Sequence, residues 1–274
     1  NLAVTPGSVV YRNEVFELIE YYPSTAKVRE RPLLLVPPII GKYYFLDLAP
    51  GRSFIEYAVG SGLHFFTISW RNPRGQHTAW GLNTYAKAVI EALEVVREIA
   101  GSADVNAHGF CAGGIVLSCA LNHLAAQGEC PVHAASFGVM LLDFDTPGPI
   151  GAFSPKPLLD LARRRAAKAG IVNTNDMSAA FTWLRPNDLV WNYWHNNYLL
   201  GDPPPASDVM AWNADGTRLP AALHSQFLDI FSKNVLIEGE LCVLGSPLQA
   251  GSIQCDSYFM AAEADHLTPW QGCY

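Results

Sequence analysis

Residues 105–116 read Val-Asn-Ala-His-Gly-Phe-Cys-Ala-Gly-Gly-Ile-Val, an apolar run that gives way to a helical pattern at Cys111. A strand that turns sharply into a helix presents one side chain at the tip of the turn, and this spacing puts the Cys111 thiol there. Gly109 and Gly113 carry no Cβ, so the strained turn can form and the helix can pack close to the sheet. Free N–H groups and the dipole at the helix N-terminus favour thiolate, the reactive form, which predicts an activated Cys111. A lone cysteine is more often a buried structural residue, but the flanking turn reverses that preference here.

Sulfur in place of oxygen narrows the chemistry. A cysteine that takes an acyl group from a coenzyme A thioester exchanges one thioester for another, so the acyl group stays activated. That suits transfer to an alcohol better than hydrolysis alone. A nucleophile of this kind needs an acid, a histidine and an oxyanion hole. Asp265, at the end of an apolar run and before a turn, is placed where such folds keep the acid that orients the imidazole. The first oxyanion donor is expected to be the backbone N–H of Ala112. Pro37 and Pro38 have no N–H to give, which leaves Ile39 or Ile40 for the second.

These groups need a sheet to hold them. Residues 9–22 alternate like a hairpin, 31–40 form an apolar run closed by two prolines, 51–60 read as a short helix and 64–70 as a strand. Residues 78–100 carry apolar residues at helical spacing, with Gly101 as the stop signal. The elbow strand at 105–111, its helix at 113–127 and a strand at 135–143 follow. Alternating strands and helices predict an α/β chain with a mostly parallel sheet, the α/β-hydrolase fold. From about Phe144 the rhythm changes to prolines, a basic patch at Arg163, Arg164 and Arg165, and an aromatic block of Phe181, Trp183, Trp191, Tyr193, Trp194 and Tyr198. An apolar strand resumes at 257–264. The expected organisation is a core at 1–143 with the elbow, a cap subdomain at 144–255 inserted between late strands, and a core strand with the acid loop at 256–274. The basic patch reads as a solvated helix face in preference to a coenzyme A phosphate contact. The aromatics read more readily as cap core than as a wall of an acyl site.

Ordered, collinear motifs extend well beyond the elbow. They are Val-Pro-Pro-Ile-Ile-Gly-Lys-Tyr-Tyr at 36–44, Ile-Ser-Trp-Arg-Asn-Pro at 68–73, Gly-Phe-Cys-Ala-Gly-Gly at 109–114 and Leu-Arg-Pro-Asn-Asp-Leu-Val-Trp-Asn-Tyr at 184–193. Asn-Asn-Tyr-Leu-Leu-Gly at 196–201, Trp-Asn-Ala-Asp at 212–215, Thr-Arg-Leu-Pro at 217–220 and Asp-His-Leu-Thr-Pro-Trp at 265–270 complete the set. On these residues nearly the whole chain resembles the polyhydroxyalkanoate synthases. The resemblance implies polymerisation of 3-hydroxyacyl-coenzyme A into a polyester, with Cys111 as nucleophile and Asp265 as acid, and it favours Ile40 over Ile39. It places the histidine one strand and one loop beyond the acid, past residue 274, so the chain is expected to lack its final strand or strands and to be inactive alone. His266 adjoins Asp265 and points elsewhere, and the other seven histidines, His108, His195 and His224 among them, have no motif support as base. Two departures stand out: Gly41 replaces the asparagine usual in its motif, and His108 replaces an apolar residue.

The resemblance further implies a homodimer, a polymer granule surface as partner and a cytoplasmic setting. No cofactor is expected, coenzyme A being a leaving group of the substrate, and no metal. At 274 residues and 50% hydrophobic, the chain can bury a sizeable core. A net charge of −7 with dispersed acids argues against nucleic acid, and no stretch approaches the roughly 20 apolar residues of a membrane span. The six cysteines show no metal-ligand spacing and read as reduced thiols. Two other readings remain: a thiol-dependent hydrolase acting as esterase or depolymerase, and a non-enzymatic granule-associated or regulatory subunit.

Overall fold

A computed structural model describes residues 2–145, 155–184, 186–203, 207–265 and 267–273. Its centre is a seven-stranded sheet. Strand β1 (Gly7–Arg12) pairs antiparallel with β2 (Phe16–Tyr21), and the Asn13 side chain closes the turn by accepting from Val15 N–H at 2.8 Å and Phe16 N–H at 2.9 Å. Beyond them come β3 (Leu33–Val36), β4 (Phe65–Trp70), β5 (Val105–Phe110), β6 (Val132–Gly138) and β7 (Asp256–Met260), in the spatial order β1-β2-β4-β3-β5-β6-β7. From β4 to β7 every pairing is parallel. The central strands are covered on both faces, which is why β3 and β4 are almost continuously apolar instead of alternating.

One face packs on α1 (Phe54–Gly60), whose Ser53 accepts from Glu56 N–H at 2.9 Å, and buries Tyr21, Leu35, Ile55, Ala58, Val59 and Phe65. The other face packs on α2 (Leu82–Ala100) and α3 (Ala112–Ala126). Gly101 ends α2 at φ 62°, the left-handed conformation that a glycine adopts without strain.

Between β6 and β7 lie α4 (Lys156–Ala169), α5 (Thr174–Leu184), π-helical turns at Asn187–Trp191 and Trp194–Leu199, α6 (Asp208–Ala214), α7 (Ala221–Lys233) and α8 (Val235–Glu238). Leu219, Leu223, Phe227, Ile230 and Val235 from this stretch join the same apolar cluster as α2 and α3. Two strands stop earlier than the sequence pattern suggests. Strand β6 ends at Gly138 because Val139 turns into the left-handed region at φ 46°, and β7 ends at Met260, so Asp265 lies in the loop that follows. Among the described residues no helix is long and apolar enough to cross a membrane.

Candidate active site

Cys111 closes β5 and opens α3 with φ 52° and ψ −126°, a conformation that costs a non-glycine residue about 1–3 kcal/mol and persists only when its surroundings enforce it. Here they do. Its N–H donates to the Gly138 carbonyl at 2.8 Å, and its carbonyl accepts from Gly114 N–H at 2.9 Å. The glycines are required by contact: a Cβ on Gly109 would lie 2.6 Å from Gly114 Cα, and one on Gly113 would lie 2.3 Å from the Val36 oxygen. Gly113 therefore presses the elbow onto the loop that follows β3.

The thiol itself differs from the sequence expectation of a thiolate. Burial pushes the Cys111 thiol up from its ordinary pKa, the Ala112 N–H draws it down, and the Asp265 charge pushes it up again. Dense surroundings remove more solvation from the anion than one N–H restores, which favours the thiol over the thiolate and calls for a base.

Asp265 accepts from Leu267 N–H at 2.8 Å, Thr268 N–H at 3.1 Å and Thr268 Oγ1 at 2.9 Å. Cys273, on the last helical turn α9 (Trp270–Cys273), donates its thiol to the Thr268 carbonyl at 3.6 Å. Burial, then the charges of Asp265 and Cys111, push the Cys273 thiol up to about 11. The fold thus brings Cys111, Asp265 and Cys273 into one neighbourhood, and the sequence offered no reason to single out the last of these.

Of the described histidines, all but His224 have partners away from Cys111. His64 meets Glu20 at 2.7 Å, His77 stacks on Trp80, His123 meets Ser246 at 2.9 Å, His133 faces Asp104 at 3.7 Å and His195 bonds Asn196 at 2.8 Å. His224, on α7, feels the charge of Arg163 and burial holds its pKa low. His108 points to the α1 face, its Nδ1 2.7 Å from Ser136 Oγ and its ring against Phe54, and burial lowers its pKa to about 4. His266 lies outside the described residues.

Several motifs that carried no assigned role converge on the loop at 37–42. Trp70 Nε1 donates to the Pro37 carbonyl at 3.0 Å. Thr217 Oγ1 accepts from Gly41 N–H at 2.8 Å and donates to the Ile39 carbonyl at 3.1 Å. Trp212 Nε1 donates to the Lys42 carbonyl at 2.9 Å, and Asn72 Oδ1 accepts from Arg218 N–H at 3.0 Å. Gly41 adopts φ +93°, and a Cβ there would lie 2.5 Å from the Trp212 ring, so both backbone and space call for glycine at this position. The departure at Gly41 thus has a local physical reason.

Most of the aromatic block is exposed, Trp183 at 56%, Trp191 at 55%, Trp194 at 50% and Tyr198 at 71% accessible, while Tyr193 is half-buried. These rings form surface and not a packed core, because the π-helical turns lie outside the main apolar cluster. Arg163 pairs with Asp229 at 2.8 Å while Arg164 and Arg165 are exposed, as a solvated helix face requires.

A largely parallel sheet in this order, with a strained cysteine after its fifth strand and a carboxylate in the loop after its seventh, defines an α/β-hydrolase fold. Solved structures agree on the fold: a putative lipase from Sulfolobus solfataricus matches at TM-score 0.50 and 14% identity over 95% of this chain and 92% of its own. A putative lipase from Acinetobacter baumannii matches at TM-score 0.50 and 9% identity over 97% of this chain and 76% of its own. Along its whole length the chain is similar to proteins named poly(3-hydroxyalkanoate) polymerase. It is 45% identical to poly(3-hydroxyalkanoate) polymerase 1 of Ectopseudomonas oleovorans, over 100% of this chain and 49% of that protein. It is 39% identical to the poly(3-hydroxyalkanoate) polymerase subunit PhaC of Cupriavidus necator, over 100% of this chain and 48% of that protein. Residues 1–58 match the family model described as the poly-beta-hydroxybutyrate polymerase (PhaC) N-terminus. The chain spans about half the length of the curated relatives it matches.

Proposed function

We propose that this chain carries the nucleophile and the acid of a polyhydroxyalkanoate synthase, a transferase that builds a polyester from 3-hydroxyacyl-coenzyme A. The observation that carries the reading is Cys111, held in a strained turn within reach of the Asp265 charge. Cys111 sulfur attacks the thioester carbonyl, the carbon–sulfur bond to coenzyme A breaks, and the thiol proton leaves with coenzyme A through the base. The acyl group then sits on Cys111 as a thioester, and the same base takes the proton of the 3-hydroxyl that attacks it next. Developing negative charge on the carbonyl oxygen is met by the N–H groups of Ala112 and Ile40.

In this reading the base is a histidine supplied from outside residues 1–274, oriented by Asp265 to complete a Cys-His-Asp triad. The chain taken alone then transfers acyl groups slowly. Residues 1–143 form the catalytic core, 144–255 a cap over it and 256–274 the strand and loop of the acid. No cofactor or metal takes part, and the enzyme works as a homodimer at the polymer granule in the cytoplasm.

The test uses the full-length protein with 3-hydroxybutyryl-coenzyme A. Polymer together with free coenzyme A is the expected product, and Cys111→Ala is expected to remove both. Free hydroxy acid without polymer points to a thiol hydrolase instead, and unchanged turnover in Cys111→Ala rejects the nucleophile.

A further inference from the structure

We propose that Thr217 is a positioning residue for the oxyanion loop, its single hydroxyl fixing the direction of the Ile40 N–H. The proposal rests on the reading above in which Ile40 supplies the second oxyanion donor.

A hydroxyl has one proton to give and lone pairs to accept with, and Thr217 uses both on the two peptide groups that flank Ile40. It donates to the Ile39 carbonyl and accepts from the Gly41 N–H. The Ile39 carbonyl and the Ile40 N–H belong to one planar trans peptide and point in opposite directions. Drawing the carbonyl toward Thr217 therefore aims the Ile40 N–H away from Thr217, and the bond to Gly41 stops the next peptide from rotating. Thr217 is only 5% exposed, so water does not compete for these bonds. Trp212 supports the same loop through the Lys42 carbonyl and by filling the space beside Gly41. Both fasteners come from residues 212–217, so the seating of the stretch between β6 and β7 sets the geometry of a donor that follows β3.

In the full-length protein, single-turnover release of coenzyme A from 3-hydroxybutyryl-coenzyme A reads acylation, and iodoacetamide labelling reads the Cys111 thiol alone. Thr217→Val keeps the shape and loses the hydroxyl. It is expected to slow acylation about 100-fold, in the range for loss of an oxyanion donor, with KM and labelling within about threefold of the parent. Thr217→Ser restores the hydroxyl and is expected to recover acylation to within about threefold. A valine variant as fast as the parent, a serine variant as slow as valine, or equal slowing of acylation and labelling each overturns the proposal. Should Thr217→Val not fold, Trp212→Phe removes the bond to Lys42 together with the part of the indole that lies beside Gly41. It is expected to show the same split at about tenfold, and its absence overturns the proposal. Acylation that survives Cys111→Ala sinks the underlying reading of the site, and this one with it, whatever Thr217 does.

Discussion

The α-carbon of Gly113 faces the Val36 carbonyl so closely that a Cβ on it would stand 2.3 Å from that oxygen, with the Pro37 oxygen at 2.5 Å. This contact fastens the turn at Cys111 to the loop that follows β3, backbone against backbone. Gly113→Ala is therefore expected to destabilise the chain by about 3 kcal/mol, because no flexible side chain can yield. Gly75→Ala, where nothing lies within 4 Å, is expected to stay within about 0.5 kcal/mol. Denaturant titration of both variants measures the difference.

The Asp265 charge disfavours the Cys111 anion even as it would orient a base. Asp265→Asn is thus expected to lower the Cys111 pKa, and iodoacetamide labelling of Cys111 in residues 1–274 at fixed neutral pH should quicken severalfold. Turnover of the full-length protein should fall by about ten-thousandfold, as in triads that lose their acid. Peptide mass spectrometry and coenzyme A release report the two arms, and slower labelling would contradict the charge relation.

His108 has a folded pKa of about 4 against an ordinary value near 6.5, so the unfolded chain binds more protons between these limits. The group is fully favourable to folding above pH 6.5, and that contribution is lost as pH falls toward 4. Its size is about 3 kcal/mol at most. His108→Gln is expected to flatten the decline of melting temperature between pH 6.5 and 4, measured by thermal scans in a series of buffers.

Trp191 and Trp194 are half exposed. Alanine at either is expected to leave stability within about 0.5 kcal/mol and Cys111 labelling unchanged. A shift of the full-length protein toward monomer in sedimentation is the expected effect, since contiguous exposed apolar surface marks sites of association. Full activity with unaltered association would leave these rings as ordinary surface.

Much of the scaffold was legible because its signals are local. Gly101 stops α2, the alternation over residues 9–22 marks the β1–β2 hairpin, and the glycines around Cys111 announce a turn whose backbone tolerates no Cβ. The strand ends were not legible, since Val139 adopts a left-handed φ that a β-branched residue almost never takes in response to local preference. The upward push on the Cys111 pKa was not legible for a related reason. A helix N-terminus is visible in sequence, whereas the density of atoms around a sulfur is a property of the assembled fold. The exposure of Trp191 and Trp194 is of the same kind: residue type says a ring prefers burial, and only packing says whether anything covers it. Thr217 and Trp212 stood inside motifs, yet their partners lie across the fold, so no spacing rule could link them to Ile39, Gly41 and Lys42.

The bond between Gly41 and Thr217 joins residues 176 positions apart. During synthesis the loop at 37–42 and Cys111 leave the ribosome first, and at about 5–20 residues per second roughly 100 further residues delay Thr217 by about 5–20 s. Through that interval the nascent chain holds a Cys111 turn whose neighbouring loop is not yet fastened. Order of translation thereby becomes order of maturation, with the thiol made first and the geometry around it completed last.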